Sequence, residues 1–493
     1  MSVNGNNATP PSPAIAPGIE TLDPVAFARE LGQRWPGGVD PRVRAVLPTM
    51  DAPFFQAGLA GYSDAAMRIV ARQQGCPLCV TEALLDRMLL GGGHGFDKAD
   101  LVLQNEQLLA DNLPSGTDDH PLIGQIIGSD PDEMAAAAVK MYEQGQRRDR
   151  EYRDMAYGSG GMPHYVDTRW KVGDGEAAPA GASASDAVCE DDCTPEALLR
   201  LAEMQPPESY DPRSVFANLP PVDPADKPKP PNSKPERERA GAEAAGAPSR
   251  SFATIDVNLA CPVKKIDRKS RGGHWLTDPV GAIRILKAVR DGLPPEVPCT
   301  VKLRRAYDDT PEMARNFEVI FSAAYDLGYA WATVHARTVE QRYIGPSRWT
   351  FLKDLMSRHT DKIVFGSGDV WVAQDIFRMI GYAGVSGVSV ARGCIGNPWI
   401  FRQARQMLAG QPVTRPSIAE QREVLLQHFR LSVAVNGEYH AGKMMRKFGI
   451  KFAQHHHTPE AVKVRMCAVN TTKDWLATLD ELYVEPATVS SAG

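Results

Sequence analysis

Short apolar, β-branched runs alternate with segments of helical periodicity along most of this chain. Eight runs indicate buried strands, at residues 54–59, 77–81, 121–127, 252–258, 297–303, 330–335, 362–365 and 387–391. Between them the apolar spacing predicts helices, among them residues 64–72, 131–142, 279–290, 310–327, 372–380 and 397–408. Because eight repeats of buried strand and helix favour a parallel closed sheet, the expected fold class is α/β, a (β/α)8 TIM barrel.

The predicted barrel covers residues 46–410, and three further segments flank or interrupt it. Residues 1–45 are predicted to be an N-terminal extension, partly disordered because its first 20 residues are rich in Pro, Ala, Asn and Ser. Residues 146–250 lack apolar periodicity and contain a proline-rich charged tract, so we interpret them as an insertion that packs away from the strand ends. Residues 415–482 show helical spacing without strand signals, which predicts a small all-helical C-terminal domain.

Composition restricts the classes of function. The net charge of −5 gives no general basic surplus for nucleic acid, but acidic residues are concentrated in the insertion, so a local basic patch could still meet a polyanion. No apolar run is long enough to span a bilayer, and the N-terminal residues lack the basic segment and apolar core of a signal peptide, so a cytoplasmic location is expected. Eight irregularly spaced cysteines predict reduced thiols rather than a disulfide framework.

Functional groups of such barrels collect where strands end, and one strand end carries the sequence NLACP (258–262). The proline blocks further strand pairing, so Cys261 should face the cleft as a candidate reacting group. A lone cysteine is more often a small buried hydrophobe, and only its neighbours favour reactivity here. Glycine-containing turns after the seventh and eighth strands, with a lysine after the fifth, suggest a phosphorylated cofactor such as FMN.

These motifs together resemble the tRNA-dihydrouridine synthases, flavin-dependent enzymes that reduce uridine in transfer RNA. The matching pieces are AGLAGYSDAAMR (57–68), TE (81–82), IDVNLACPVKKIDRKSRGG (255–273), TVKLR (300–304), VHARTVEQRYIG (334–345), FGSGDV (365–370) and ARGCIGNPWIF (391–401). A helical tail with MRK (445–447) is also typical of that family. The resemblance runs from about residue 56 to residue 447 with the insertion excluded.

The resemblance implies a site for FMN, with NADPH as the electron donor and tRNA as the substrate. Hydride would reach C6 of uracil, and Cys261 would donate a proton to C5 as general acid. The implied cofactor-binding residues are Gly58, Leu59, Ala60, Gln125, Lys302, His335, Ser367, Gly368, Asp369, Ala391 and Arg392. The implied contacts to uridine or tRNA are Asn258, Arg337, Lys264, Arg268, Lys443, Arg446 and Lys447. We expect no metal, no membrane association and a monomer.

The chain departs from the family pattern at four positions. The departures are Gly58, Leu59, Ser367 and Ala391, where proline, methionine, asparagine and glycine are usual. We expect flavin binding to survive the change at Gly58, because that turn contacts flavin through its backbone. The Ala391 methyl group, beside the phosphate, should weaken binding.

Two alternative functions stay open. A barrel flavoenzyme acting on a free pyrimidine, in the manner of dihydroorotate dehydrogenases, would lack the basic helical tail. A non-catalytic RNA-binding module that has lost flavin would fit Ser367 and Ala391. Cys76 and Cys79 are predicted to be core residues rather than metal ligands, and the histidines at 455–457 are predicted to lie at the surface.

Overall fold

A closed parallel barrel forms the body of the molecule. The computed structural model describes residue 19 and residues 21–91, 119–145, 252–263, 270–436 and 438–484. Its strands are β1 (Phe54–Gln56), β2 (Cys79–Val80), β3 (Leu84–Leu85), β4 (Leu122–Ile127), β5 (Phe252–Leu259), β6 (Cys299–Arg304), β7 (Trp331–His335), β8 (Val364–Ser367) and β9 (Gly387–Val390). Within these residues β2 pairs with both β1 and β4, and β1 pairs with β9, so that eight strands close into a ring with β3 as a short addition to β4. The predicted (β/α)8 barrel is confirmed.

Helices follow the strands and surround the barrel. They are α1 (Pro24–Arg34), α2 (Pro41–Val46), α3 (Ala65–Gln73), α4 (Asp86–Gly91), α5 (Pro131–Gly145), α6 (Pro279–Gly292), α7 (Pro311–Asp326), α8 (Trp349–Arg358), α9 (Ala373–Ala383) and α10 (Trp399–Leu408). The predicted helices agree with these bounds within about three residues. Helices α1, α2, α4 and α8 have no counterpart among them.

The barrel interior divides into an apolar lower half and a polar upper half. Phe55, Ile123, Trp331 and Phe365 fill the lower half, and side chains from residues 39–50 close it from below. The described part of the N-terminal segment therefore belongs to the barrel body. Because side chains alternate along a strand, the next inward positions lie higher, and these positions are polar.

The C-terminal region contains four helices within the described residues: α11 (Ile418–Asn436), α12 (Glu438–Phe452), α13 (Pro459–Cys467) and α14 (Thr472–Leu482). Trp475 stacks on Phe429 with the ring centroids 5.1 Å apart, so α14 and α11 share a core. The side chain of Asn436 donates to Asp64 Oδ2 at 3.2 Å, at the start of α3, which joins this region to the barrel. No helix in the described ranges is long and apolar enough to cross a membrane.

Candidate functional site

A chain of hydrogen bonds crosses the upper barrel from β6 to the end of β5. Thr300 Oγ1 donates to Asp256 Oδ1 at 2.7 Å, and Gln125 Nε2 donates to Asp256 Oδ2 at 2.8 Å. Asn258 Nδ2 donates to Gln125 Oε1 at 2.7 Å. Asn258 Oδ1 in turn accepts the backbone N–H groups of Ala260 and Cys261, at 2.9 and 3.1 Å. Asn258 thus holds the loop that carries the cysteine.

Cys261 lies half-buried directly after β5. Burial raises the pKa of its thiol, and the Val263 N–H and the charges of Lys302 and Arg304 offset only part of that rise. The thiol is therefore neutral at ordinary pH. Arg304 fixes the loop from the other side, because its Nε donates to the Ala260 carbonyl oxygen at 3.0 Å.

Four cations surround the imidazole of His335 at the ends of β6 to β9. Burial, together with the charges of Arg304, Lys302, Arg337 and Arg392, holds the pKa of His335 well below its usual value. Its Nδ1 accepts the Arg337 backbone N–H at 3.2 Å, so the neutral ring carries its proton on Nε2. Burial also lowers the pKa of Lys302 to about 8, with Arg304 as a further cause. Such an excess of positive charge favours an anionic ligand.

Asp369 organises part of this cluster. Both its carboxylate oxygens lie 2.7 Å from Arg337 Nη2, one of them lies 3.2 Å from Arg392 Nη2, and the other accepts the Ser347 N–H at 2.6 Å. The Asp369 carboxylate therefore makes its hydrogen bonds to other residues of the protein. The buried Arg337 Nη1 and Ser347 Oγ have no hydrogen-bond partner among the described residues. Unpaired buried polar atoms of this kind indicate a place for a ligand.

The turn after β8 has the backbone shape of an anion cradle. Gly368 and Asp369 both have positive φ, 115° and 53°. Within the described chain their N–H groups donate no hydrogen bond, and the same holds for Arg392 and Gly393. A Cβ at Gly368 would lie 2.2 Å from Ser347 Oγ, and residues with a side chain rarely adopt its φ of 115°, so glycine is strongly favoured there. Successive free N–H groups in such a turn bind phosphate oxygens.

A narrow pocket lies inside the barrel beside the hydrogen-bonded pair of Gln125 and Asp256. It is lined by Phe55, Ala57, Gly58, Val80, Ile123, Gln125, Asp256, Lys302, Thr333 and Ser389. Its floor is apolar and its wall carries the Gln125 amide and the Lys302 ammonium group. Lining groups of this kind suit one edge of a planar ring that carries hydrogen-bonding atoms.

Comparison with known proteins agrees with this geometry. The model of the dihydrouridine synthase (Dus) family matches residues 234–487, which is more than half of the chain. This chain belongs to the dihydrouridine synthase family. The strand ends that hold Asn258, Cys261, Lys302, His335 and Arg392 all lie within the matched residues.

Individual dihydrouridine synthases resemble the chain over part of its length. A probable tRNA-dihydrouridine synthase of Treponema pallidum is 32% identical over 41% of this chain and 60% of its own length. The tRNA-dihydrouridine synthase B of Shewanella oneidensis is 32% identical over 41% of this chain and 59% of its own length. The chain thus spans about 60% of these relatives. The old yellow enzyme of Trypanosoma cruzi aligns with a TM-score of 0.34 and 10% identity, over 76% of this chain and 92% of that one, too low a likeness to carry an argument.

The predicted cofactor residues divide between this pocket and the neighbouring strand ends. Gly58, Gln125 and Lys302 line it. Gly58, unusual for a dihydrouridine synthase, has a local reason: a Cβ there would lie 2.3 Å from the Thr81 carbonyl oxygen. His335 and the turns at residues 367–369 and 391–392 lie at the ends of β7, β8 and β9.

The predicted RNA contacts are more scattered. Lys264 and Arg268 lie outside the described residues, as does the insertion at 146–250. Arg337 is 2% exposed and is paired with Asp369, so it faces the phosphate cradle. Lys447 Nζ donates to the Gly61 carbonyl oxygen and lies 4.2 Å from the centre of the Tyr62 ring. The half-buried Arg446 lies near Cys467 on α13.

The structure corrects the prediction for the histidine run. His456 is 3% exposed, and its Nε2 lies 2.8 Å from the Leu482 carbonyl oxygen at the end of α14. His455 packs edge-on against Trp399, with centroids 4.9 Å apart. A short 3-10 turn at residues 453–455 rotates these rings inward, and His457 alone of the three is exposed.

The prediction that Cys76 and Cys79 are core residues is confirmed. Cys76 and Cys79 are buried, with their sulfur atoms 3.8 Å apart. No group of three or more His, Cys, Asp or Glu side chains in the described ranges is arranged to hold a metal ion.

Sequence reasoning missed several residues of the site. Asp256 and Thr300 lie inside β5 and β6 rather than after them, so a search of strand ends passes over them. Polar residues at 254, 256 and 258 of an otherwise apolar strand were the available signal. Tyr343 was also missed; its ring lies 5.7 Å from the Arg304 guanidinium carbon and 5.2 Å from that of Arg392.

Proposed function

We propose that this protein reduces uridine in transfer RNA to 5,6-dihydrouridine, with FMN as its bound cofactor. The observation that carries the proposal is the neutral thiol of Cys261, which feels the charge of the pocket residue Lys302 and lies at the same end of the barrel as the anion cradle after β8. Membership of the dihydrouridine synthase family supports the same reaction. NADPH as the electron donor, a monomeric state and a cytoplasmic location stay predictions.

The residues at the barrel mouth suit FMN. The backbone of residues 58–60 and the Gln125 amide would contact the ring, and the cradle at residues 367–369 and 391–392 would hold the phosphate. Lys302 and His335 would lie against the polar edge of the ring. When bound and reduced, FMN supplies the hydride for C6 of uracil.

The protein's own residues then provide the proton and the alignment. A neutral thiol can donate a proton to C5, and the raised pKa of Cys261 keeps that proton in place until it is needed. Asn258 uses one Nδ2 hydrogen on Gln125, which leaves the second available for a uracil oxygen. Because the target base is stacked in folded RNA, it must first be turned out into the pocket.

The test combines purified protein, FMN, NADPH and unmodified tRNA, with dihydrouridine measured by mass spectrometry. We expect Cys261→Ala to keep its flavin absorbance and to lose about 10²- to 10⁴-fold in turnover, the usual contribution of a general acid. Cys467→Ala is the matched control, because Cys467 is also half-buried but lies on α13 in the helical region. It should keep full activity.

Three outcomes would contradict the proposal. Undiminished activity in Cys261→Ala would reject the acid role. Reduction of free uracil with no change in tRNA would favour an oxidoreductase acting on a free pyrimidine. Purified protein that binds tRNA but no added FMN would favour a non-catalytic RNA-binding module.

A further inference from the structure

We propose that Asp256 is a positioning residue: its carboxylate sets the direction of the Gln125 amide and, through Asn258, the position of the loop that carries Cys261. Asp256 lies on β5, two residues before Asn258, and is 4% exposed. It accepts from Thr300 on one oxygen and from Gln125 on the other. The consequence for catalysis rests on the proposed function, but the positioning itself does not.

The direction follows from the chemistry of the groups. An ionised carboxylate can only accept hydrogen bonds, whereas a side-chain amide has one donating end and one accepting end. Gln125 must therefore turn Nε2 toward Asp256, which leaves Oε1 for Asn258 Nδ2. Asn258 then has only Oδ1 left for the backbone N–H of Cys261. Reversing any member would bring donors face to face.

The Thr300 hydroxyl allows a sharp test of this chain. Asp256→Asn can keep the order if its Oδ1 accepts from Gln125 and its Nδ2 donates to Thr300, because a hydroxyl can accept as well as donate. The Thr300 proton can then turn to Thr254 Oγ1, 3.4 Å away. Valine at position 300 removes the hydroxyl acceptor. In the D256N background, the side-chain amide at position 256 must then leave a hydrogen unpaired or force the Gln125 amide to reverse.

The effect of each substitution should therefore depend on the other. Thr300→Val alone still leaves the Asp256 carboxylate to accept from Gln125, and Asp256→Asn alone can use Thr300 as acceptor, so neither single substitution should release the Cys261 loop. The double variant D256N/T300V should release the Cys261 loop. D256N/T300S keeps a hydroxyl and should restore the behaviour of D256N. The comparison among variants that all carry D256N holds the charge constant.

The readout is the rate at which iodoacetamide alkylates Cys261, followed by peptide mass spectrometry on flavin-free and FMN-loaded protein. This rate reports the loop directly and needs no turnover. We expect the double variant to react about three- to tenfold faster than D256N, the ratio that one lost hydrogen bond produces. The FMN dissociation constant, measured by flavin fluorescence, should rise in the same variant. D256N/T300A serves if the valine variant does not fold, since alanine also lacks the hydroxyl.

The proposal would be overturned if Cys261 were alkylated at equal rates in D256N, D256N/T300V and D256N/T300S. It would also be overturned if D256N/T300S reacted faster than D256N by the same factor as D256N/T300V. The first result would show that the hydroxyl has no influence on the loop, and the second that any change at position 300 disturbs it. If the expected pattern appears while the wild type leaves tRNA unreduced, the proposed function is wrong and the positioning role stands.

Discussion

Asp119→Asn should lower the free energy of unfolding by about 3–5 kcal/mol, the cost of leaving one partner of a buried ion pair charged and alone. Arg68 and Asp119 have side chains that are 1% and 0% exposed, and Arg68 Nη2 lies 2.5 Å from Asp119 Oδ2. A second bond joins Arg68 Nε to Asp119 Oδ1 at 2.9 Å. Water cannot replace the lost carboxylate at this depth.

The expected loss in the free energy of unfolding depends more on the unpaired charge of Arg68 than on the lost hydrogen bonds. Asparagine keeps the volume of Asp119 and one acceptor, but its amide hydrogens face the donors of Arg68. A guanidinium ion does not lose its proton in a protein, so Arg68 cannot escape by becoming neutral. Arg68 also donates to the Ser63 carbonyl oxygen at 2.7 Å, and Ser63 Oγ accepts the Leu59 N–H, so the loop after β1 depends on the same pair.

The assay is urea unfolding followed by circular dichroism. Glu318→Gln is the matched control, because its partner Arg358 is 47% exposed and such pairs contribute about 0–1 kcal/mol. The double variant R68M/D119L removes both charges and should recover much of the stability lost by Asp119→Asn. A loss of less than about 1 kcal/mol in Asp119→Asn would refute the reasoning, since an ordinary neutral hydrogen bond could then explain it.

Three further predictions concern the helical region and the phosphate cradle. Neither ring nitrogen of buried His428 has a hydrogen-bond partner in the part of the chain that the structure describes, and burial lowers its pKa to about 3. The unfolded state therefore takes up a proton from about pH 6.5 downward while the folded state does not, and stability falls over that range. His428→Leu should raise the unfolding midpoint in urea and flatten its loss between pH 6.5 and 3. Gly368→Ala should weaken FMN binding at least tenfold in a fluorescence titration, because its Cβ would meet Ser347. Gly328→Ala is the control: it has a φ of 87° but lies in open space, so it should cost only about 1 kcal/mol of stability and leave FMN binding intact. Lys447→Met should weaken tRNA binding without changing its salt dependence. Lys443→Met, at an exposed position, should instead reduce the slope of the logarithm of the tRNA binding constant against log salt by about one. Equal slopes in the two variants would contradict this.

The barrel could be predicted because its signals are local. Buried parallel strands appear as continuous apolar runs, and the intervening helices have their own period, so eight repeats were visible without any knowledge of contacts. The pairing of β2 with β4, which closes the barrel, was harder to predict because β2 is only two residues long. The role of residues 39–50 as the floor of the barrel depends on packing with β1, β4, β7 and β8, which no short window of sequence contains.

The candidate site was predictable where its residues follow strands. Cys261 and His335 could be found from topology alone, because they lie just after β5 and at the last position of β7, and parallel strands bring their carboxyl ends together. Asp256 could not, because it lies within β5 and its importance depends on a hydrogen bond to Gln125, 131 positions earlier in the chain. The polar alternation along β5 marks Asp256 as unusual, but a local pattern cannot name a partner that lies on the other side of the insertion.

The basic tail shows why residue type alone does not assign a partner. Lys443 and Lys447 lie one helical turn apart on α12, and both suit a phosphate. The structure separates them: Lys443 is exposed, whereas Lys447 reaches the Gly61 carbonyl oxygen and the Tyr62 ring on the loop after β1. Because that loop begins at the pocket residue Gly58, Lys447 links the helical region to the mouth of the barrel. An orientation of tRNA set by the helices would then be transmitted to the pocket through this contact, without Lys447 touching RNA.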